Sequence, residues 1–178
     1  MSHRVITYGE PVLRVRAAPV TTIDDEVLAL VEKLHWVIEN KSAHAVAAPQ
    51  VGYSLRVFLA RLDEFLPDGS WAKGETYLFI NPKLSNPSEE TEVLEEGCLS
   101  IPGIRVPVER PVSITVEAQN LERESFVLHL SGLSARIIMH ENDHLNGVLT
   151  IDRTPRRIRQ ALDQQIRALA KTTAKHAR

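Results

Sequence analysis

Residues 140–144 read His-Glu-Asn-Asp-His, and this pentapeptide restricts the fold more than any other stretch of the chain. Residues four apart share one face of an α-helix, so His140 and His144 direct their imidazoles at one point only if the stretch is helical. Ile137, Ile138, Met139 and Leu145 flank it, which sets the helix against a core rather than in water. Two imidazoles on one face, with a glutamate beside the first, form the pattern of a helix that holds a divalent metal. Glu141 is then placed to handle a proton of the attacking water. The bland alternative is a solvated helix with two unrelated histidines, and the apolar flanks speak against it. The helix is predicted over 133–146 and closes at Gly147.

A metal held by two histidines needs at least one further protein ligand. A His-x-x-Gly-x-x-His continuation fails because position 150 is Thr150, and no Glu follows Glu141. Cys98, His44, His129 and the other histidines are left. Cys98 is favoured, since it lies in Glu96-Gly97-Cys98-Leu99-Ser100 and Gly97 lets the backbone approach another group closely. With one cysteine in the chain, no internal disulfide can claim it. Taken alone, such a cysteine is more often a buried apolar residue; the want of another third ligand reverses that. Two imidazoles and a thiolate leave a fourth position open. A third segment, Val46-Ala47-Ala48-Pro49-Gln50-Val51-Gly52, has small residues suited to close backbone packing, and Gln50 offers an amide donor. Read alone it is a tight loop with an exposed glutamine. Val46 and Ile137 are candidates for the wall of an apolar pocket.

The rest of the chain sets the architecture. A helix is predicted over 22–40, with Thr22 as N-cap, Asp24, Asp25 and Glu26 in the first turn, and Ile23, Val27, Leu30, Val31, Leu34 and Ile38 at helical spacing. Strands are expected over 55–60, over 76–81 with Pro82 as terminator, and over 91–94. Two further strands, over 111–118 and 125–130, alternate apolar and polar residues. The stretch 61–73, with Pro67, Asp68 and Gly69, reads as a loop or hairpin tip. The tail over 155–178 reads as one basic amphipathic helix with Ile158, Ala161, Leu162, Ile166, Leu169 and Ala170 on its apolar face. Strands in a run, with helices at both ends, give an α+β fold of small antiparallel or mixed sheets around the ligand helix. The 178 residues fit a single domain, 1–178. A formal net charge of −2 argues against DNA or other bulk nucleic-acid binding. No stretch is long and apolar enough to span a membrane, and the N-terminus has no apolar targeting core. The expectation is a cytoplasmic enzyme or binding domain.

The three motifs together resemble the peptide deformylase family, which carries Gly-x-Gly-apolar-Ala-Ala-x-Gln, then Glu-Gly-Cys-Leu-Ser, then Gln-His-Glu-x-Asp-His-Leu-x-Gly. Here they read Ala43 to Gln50, Glu96 to Ser100 and Met139 to Gly147. The likeness extends to Thr7-Tyr8-Gly9-Glu10-Pro11-Val12-Leu13-Arg14 and to Ser100-Ile101-Pro102-Gly103. It implies a metallohydrolase that removes the N-formyl group from N-formylmethionyl nascent polypeptides, releasing formate. It further implies one divalent metal on Cys98, His140 and His144, ferrous iron in cells, with zinc, nickel or cobalt as substitutes. By the same resemblance Glu141 is catalytic, and Gln50 and the Leu99 N–H meet the formyl oxygen. Arg105 looks toward the peptide, and the backbone around Ala45 and Gly97 runs beside it.

The sequence departs from that pattern at Ala43 and Ala45, where the family has glycines, and at Met139, where it has glutamine. Extra methyl groups would narrow the cleft, most of all where the backbone wants a positive φ. Two alternatives follow: a related hydrolase of another N-acyl substrate, and a metal-retaining binder with little catalysis. Retention of Glu141 and Gln50 argues against the binder. In the tail, Arg153, Arg156, Arg157, Arg159, Arg167, Lys171, Lys175 and Arg178 outnumber Asp152 and Asp163. That charge is either a solvated cap or a face for ribosomal RNA, and a ribosome contact suits an enzyme of nascent chains. Finally, Asp143 and Arg110 are expected to pair and brace the ligand helix.

Overall fold

The computed structural model describes residues 4–41, 43–62, 64–65, 71–72 and 74–176. Its strands are β1 (Ala45–Ala47), β2 (Val57–Arg61), β3 (Glu64–Phe65), β4 (Trp71–Ala72), β5 (Thr76–Ser85), β6 (Thr91–Cys98), β7 (Ile101–Pro111), β8 (Ser113–Gln119) and β9 (Ser125–Ser131). Its α-helices are α1 (Asp25–Asn40), α2 (Gly132–Leu145), α3 (Thr150–Arg153), α4 (Arg156–Ala161) and α5 (Asp163–His176).

The apolar run of β2 explains the layering, because a strand buried on both faces needs no polar alternation. Val57 and Leu59 turn to a cluster with Leu30, Leu34 and Val37 of α1. Phe58 and Ala60 turn to a cluster with Ala135, Ile138 and Leu145 of α2. The sheet between the two helices is antiparallel, in the order β1-β2-β5-β8-β9. Phe58 and Phe79 stack within it at 4.6 Å between ring centroids, in the range where aromatic pairs attract. On its far side α2 meets a second sheet, the β6–β7 hairpin. Ile104, Val106 and Val108 of β7 pack with Leu149 just before α3, Ile151 of α3 and Ile166 of α5. Helix α2 is therefore central and buried on most of its surface, in an α+β arrangement as expected. Among the described residues no helix is long and apolar enough to cross a membrane.

Three expectations need correction, and one strand goes beyond them. The N-cap of α1 is Asp24, not Thr22; its carboxylate accepts from the Val27 N–H at 3.0 Å. Pro82 does not end its strand, because β5 continues to Ser85 through a bulge between Ile80 and Lys83 with Asn81 at φ 53°. A bulge is where a strand tolerates proline. Residues 101–111 form the 11-residue strand β7, which Pro102, Pro107 and Pro111 disguise as loop. Among the described residues it pairs only with β6, so its other edge needs no N–H donors and prolines fit. The tail is also not one helix: α4 and α5 are separated by Leu162. β3 and β4 pair as the hairpin expected over 61–73; its tip, with Pro67, Asp68 and Gly69, lies outside the described residues.

Gly147 ends α2 in a left-handed conformation, φ +71°. A Cβ there would meet the Arg14 carbonyl oxygen at 2.6 Å and its carbon at 2.8 Å. Both are backbone atoms and cannot swing aside. Gly147→Ala should therefore destabilise the protein by about 2–5 kcal/mol, the sum of a left-handed penalty and overpacking. Urea unfolding checks this, and an unchanged midpoint would refute the close approach.

Candidate metal centre and cleft

Helix α2 carries His140 and His144 one turn apart, and their Nε2 atoms converge to 3.2 Å. Cys98 ends β6, after a register shift between Gly97 and Cys98 that pairs Cys98 with Ile101. That shift turns the thiol toward α2, where Sγ lies 3.2 Å from His144 Nε2. The three donor atoms all lie within 4.8 Å of one another. Ligand bonds of 2.0–2.3 Å in a tetrahedron give edges of about 3.3–3.7 Å, close to these separations. His44 and His129, the other sequence candidates, are not members of the cluster; His129 sits on β9 against Thr115.

The donor set fits a soft or borderline divalent cation. Burial opposes a charged thiolate, but the adjoining imidazoles of His144 and His140 outweigh it and hold the Cys98 thiol well below its ordinary range. Burial likewise opposes charge on His140, and the Cys98 and Glu96 partners raise it. These side chains attract positive charge at their meeting point, which a bound cation would supply.

Two residues outside the sequence-derived set complete the surroundings, Glu96 and Arg136. Glu96 Oε2 lies 3.1 Å from His140 Nδ1, which turns Nε2 of that ring toward the other donors. The carboxylate accepts from Arg110 Nε at 2.6 Å, Arg110 Nη2 at 3.0 Å and Arg136 Nη1 at 2.8 Å. Glu96 is only 6% exposed. Burial raises its pKa, but His140 and Arg110 together outweigh that and hold the carboxyl well below its usual range. Arg110 also donates to Asp143 at 3.0 Å, so the expected brace is present, and Arg153 joins from α3 with Nε 3.0 Å from Asp143. The sequence signals for the added pair are modest: a glutamate two residues before the cysteine, and an arginine four residues before His140 on the same helix face.

A cleft of about 590 Å³ opens beside the centre. Ala45, Gln50, Gly97, Cys98, Leu99, Arg105, Ile137, His140 and Glu141 all line it. Val46 does not: it is 0% exposed and packs in the cluster under α1, because successive strand side chains face opposite ways. Gln50 is not an exposed loop residue but is 2% exposed. Its Oε1 accepts from the Ala47 N–H at 2.8 Å, and its Nε2 reaches Ser100 Oγ at 3.3 Å and Cys98 Sγ at 3.5 Å. The amide thereby presents its N–H groups to the centre. Glu141 is 4% exposed, and its Oε2 has no hydrogen-bond partner among the described residues. Burial holds its carboxyl above the usual range. Arg105 Nη2 donates to the Glu95 carbonyl at 2.8 Å along the rim. Ala43 and Ala45 are not among the residues with positive φ, so their methyl groups carry no backbone strain. Met139 is 8% exposed and joins the apolar cluster around Phe58 and Phe79.

Comparison with known proteins agrees with this geometry. The polypeptide deformylase family model matches residues 2–160. A peptide deformylase of Thermotoga sp. strain RQ2 is 40% identical over 170 residues, covering 96% of this chain and 98% of that one. The crystal structure of Arabidopsis thaliana peptide deformylase 1B with an inhibitor superposes with a TM-score of 0.86 at 31% identity, over 97% of this chain and 93% of that one. A class I type b peptide deformylase from Acinetobacter baumannii, solved with Met-Ala-Ser bound, gives 0.76 at 33% identity, over 84% and 96%. With the Cys-His-His cluster, the buried Glu141 and the Gln50 amide meeting in one cleft, these matches establish that the chain belongs to the polypeptide deformylase family.

Proposed function

We propose that this protein hydrolyses the formamide of N-formylmethionyl peptides, giving formate and a free amino terminus. One observation carries the reading: a buried carboxylate oxygen on Glu141, without a partner among the described residues, lies in the cleft where one thiol and two imidazoles converge. Cys98, His140 and His144 would hold one divalent metal, which polarises the carbonyl and makes water more acidic when bound. Thiolate and imidazole ligands suit zinc; the family resemblance favours ferrous iron, with nickel and cobalt also accommodated.

The chain's own residues divide the remaining work. Glu141, its basicity raised by burial, takes the proton of the attacking water and returns it to the leaving nitrogen. Its reversible protonation balances the reaction: one water is consumed, the C–N bond breaks, and one formate forms. The Gln50 amide and the Leu99 N–H donate to the formyl oxygen as negative charge grows there. Ile137 supplies apolar wall for the methionine side chain. Among the described residues β1 has no neighbour on one edge, and with Gly97 and Arg105 opposite, the cleft suits an extended peptide beside Ala45. A peptide that begins with methionine is what the reaction would leave, and the Acinetobacter relative was solved with such a peptide.

The test is turnover of a formyl-Met tripeptide against its acetyl and longer-acyl analogues. The formyl peptide should be hydrolysed at least ~10²-fold faster in kcat/KM, the scale of discrimination a shaped site supplies. Faster cleavage of an acyl analogue would establish the altered-substrate alternative, and no cleavage of any would establish a binder.

The basic tail supports a ribosome contact on a narrower face than its composition suggests. Arg153, Arg159 and Arg167 are already paired with Asp143, Asp152 and Asp163. Among the described side chains Arg156, Arg157 and Lys171 remain for phosphate; the Lys175 side chain and Arg178 lie outside them. Their joint replacement by Glu should abolish co-sedimentation with ribosomes at low salt, and the wild-type signal should fall steeply with added salt. Equal binding by both proteins would exclude this face.

A further inference from the structure

The two motifs read as contributing to the oxyanion site, around Gln50 and around Cys98 to Ser100, come from distant parts of the chain. They are tied together by the N-terminal segment. The Ile6 N–H donates to the Gln50 carbonyl at 2.7 Å, and the Tyr8 N–H donates to the Ser100 carbonyl at 2.8 Å. These bonds fix the backbones of the same two residues whose side chains meet at 3.3 Å. Thr7 lies between them and reaches α5, with its Oγ1 2.7 Å from Thr173 Oγ1. Thr173 is only 4% exposed. Its Oγ1 also lies 3.1 Å from the Leu169 carbonyl, an acceptor for its one hydroxyl proton that lets Thr7 donate in the pair. Gly9 follows: a Cβ there would meet the Ala170 backbone at 3.2 Å, so this segment lies hard against α5.

We infer that residues 6–9 form a brace, clamped from behind by α5, and that Thr7 and Thr173 are positioning residues for Gln50 and the 98–100 turn. The C-terminal helix is then part of the catalytic scaffold as well as a basic surface. The brace acts through a hydrogen-bond relay: Thr173 holds Thr7, the strap between Ile6 and Tyr8 holds two carbonyls, and those carbonyls set the Gln50 amide. The inference rests on reading Gln50 as a donor to the formyl oxygen.

The test uses the full chain with Thr173→Val, which removes the hydroxyl at nearly constant shape, and Thr173→Ser, which restores it. Thr7→Val serves as a second route should Thr173→Val fold poorly. The expected result is a fall in kcat of roughly tenfold, part of the ~10²-fold that a 1 Å misplacement can cost. KM and metal content should stay within about twofold, and Thr173→Ser should recover most of the loss. In a Gln50→Ala background the same substitution should cost less than about twofold, since its route is already removed. Hydrogen exchange at the Ile6 and Tyr8 amides should quicken in Thr173→Val. A lower melting temperature with unchanged kcat, or an equal loss in both backgrounds, would overturn the positioning role. Failure of the unaltered protein to deformylate refutes the substrate reading instead. The brace is then judged by exchange alone, and unchanged protection of Ile6 and Tyr8 would overturn it.

Discussion

Glu141→Gln should lower kcat on a formyl-methionyl peptide by about 10²–10⁴-fold, the range supplied by a positioned acid-base group. Metal content should be unchanged, because Glu141 is not one of the three converging donors. The amide keeps the shape of the carboxylate but cannot accept and return a proton. Its buried Oε2 has no hydrogen-bond partner among the described residues, so the substitution breaks no structural bond, and unfolding should move little. Cys98→Ala should behave in the opposite way: metal occupancy falls and activity falls with it. Elemental analysis and X-ray absorption on each variant separate the two cases. One sulfur neighbour in the parent and none in Cys98→Ala is the expected outcome. Near-parental turnover in Glu141→Gln would mean that another group carries the proton.

The largest expected effect on stability is at Glu96. Its carboxylate joins Arg110, Arg136 and His140 in a site shielded from water. Glu96→Gln replaces one acceptor oxygen by an N–H₂ group facing guanidinium donors and leaves buried positive charge in excess. Removing one partner of such a buried group costs about 3–5 kcal/mol. Loss of the bond to His140 Nδ1 should also weaken metal binding by about 10–100-fold. A useful contrast is Arg167, 77% exposed in its pair with Asp163; Arg167→Ala should change stability by less than about 1 kcal/mol. Urea unfolding of the three proteins tests the difference. Equal midpoints for Glu96→Gln and the parent would mean that Arg110 and Arg136 find other partners.

The convergence of His140 and His144 was legible in the sequence for a local reason. His140 and His144 lie four apart, so the helix period alone brings them together. The apolar flanks foretold burial of α2, and alternation foretold β8 and β9, since a half-buried strand must alternate. The approach of Cys98 needed elimination among candidates, because a residue 42 positions before His140 has no periodic relation to it. The register shift after Gly97 decides where that thiol points. Strand β7 was hidden by its prolines, which an unpaired edge tolerates, and edges exist only once strands are ordered into sheets. Val46 was placed in the pocket by its neighbours in sequence, yet strand alternation sends it to the opposite core. Glu96, Arg136 and the Thr7–Thr173 contact join residues 40 to 166 positions apart. Local pattern fixes which face of an element is apolar; which charged groups meet beneath it depends on how the elements pack.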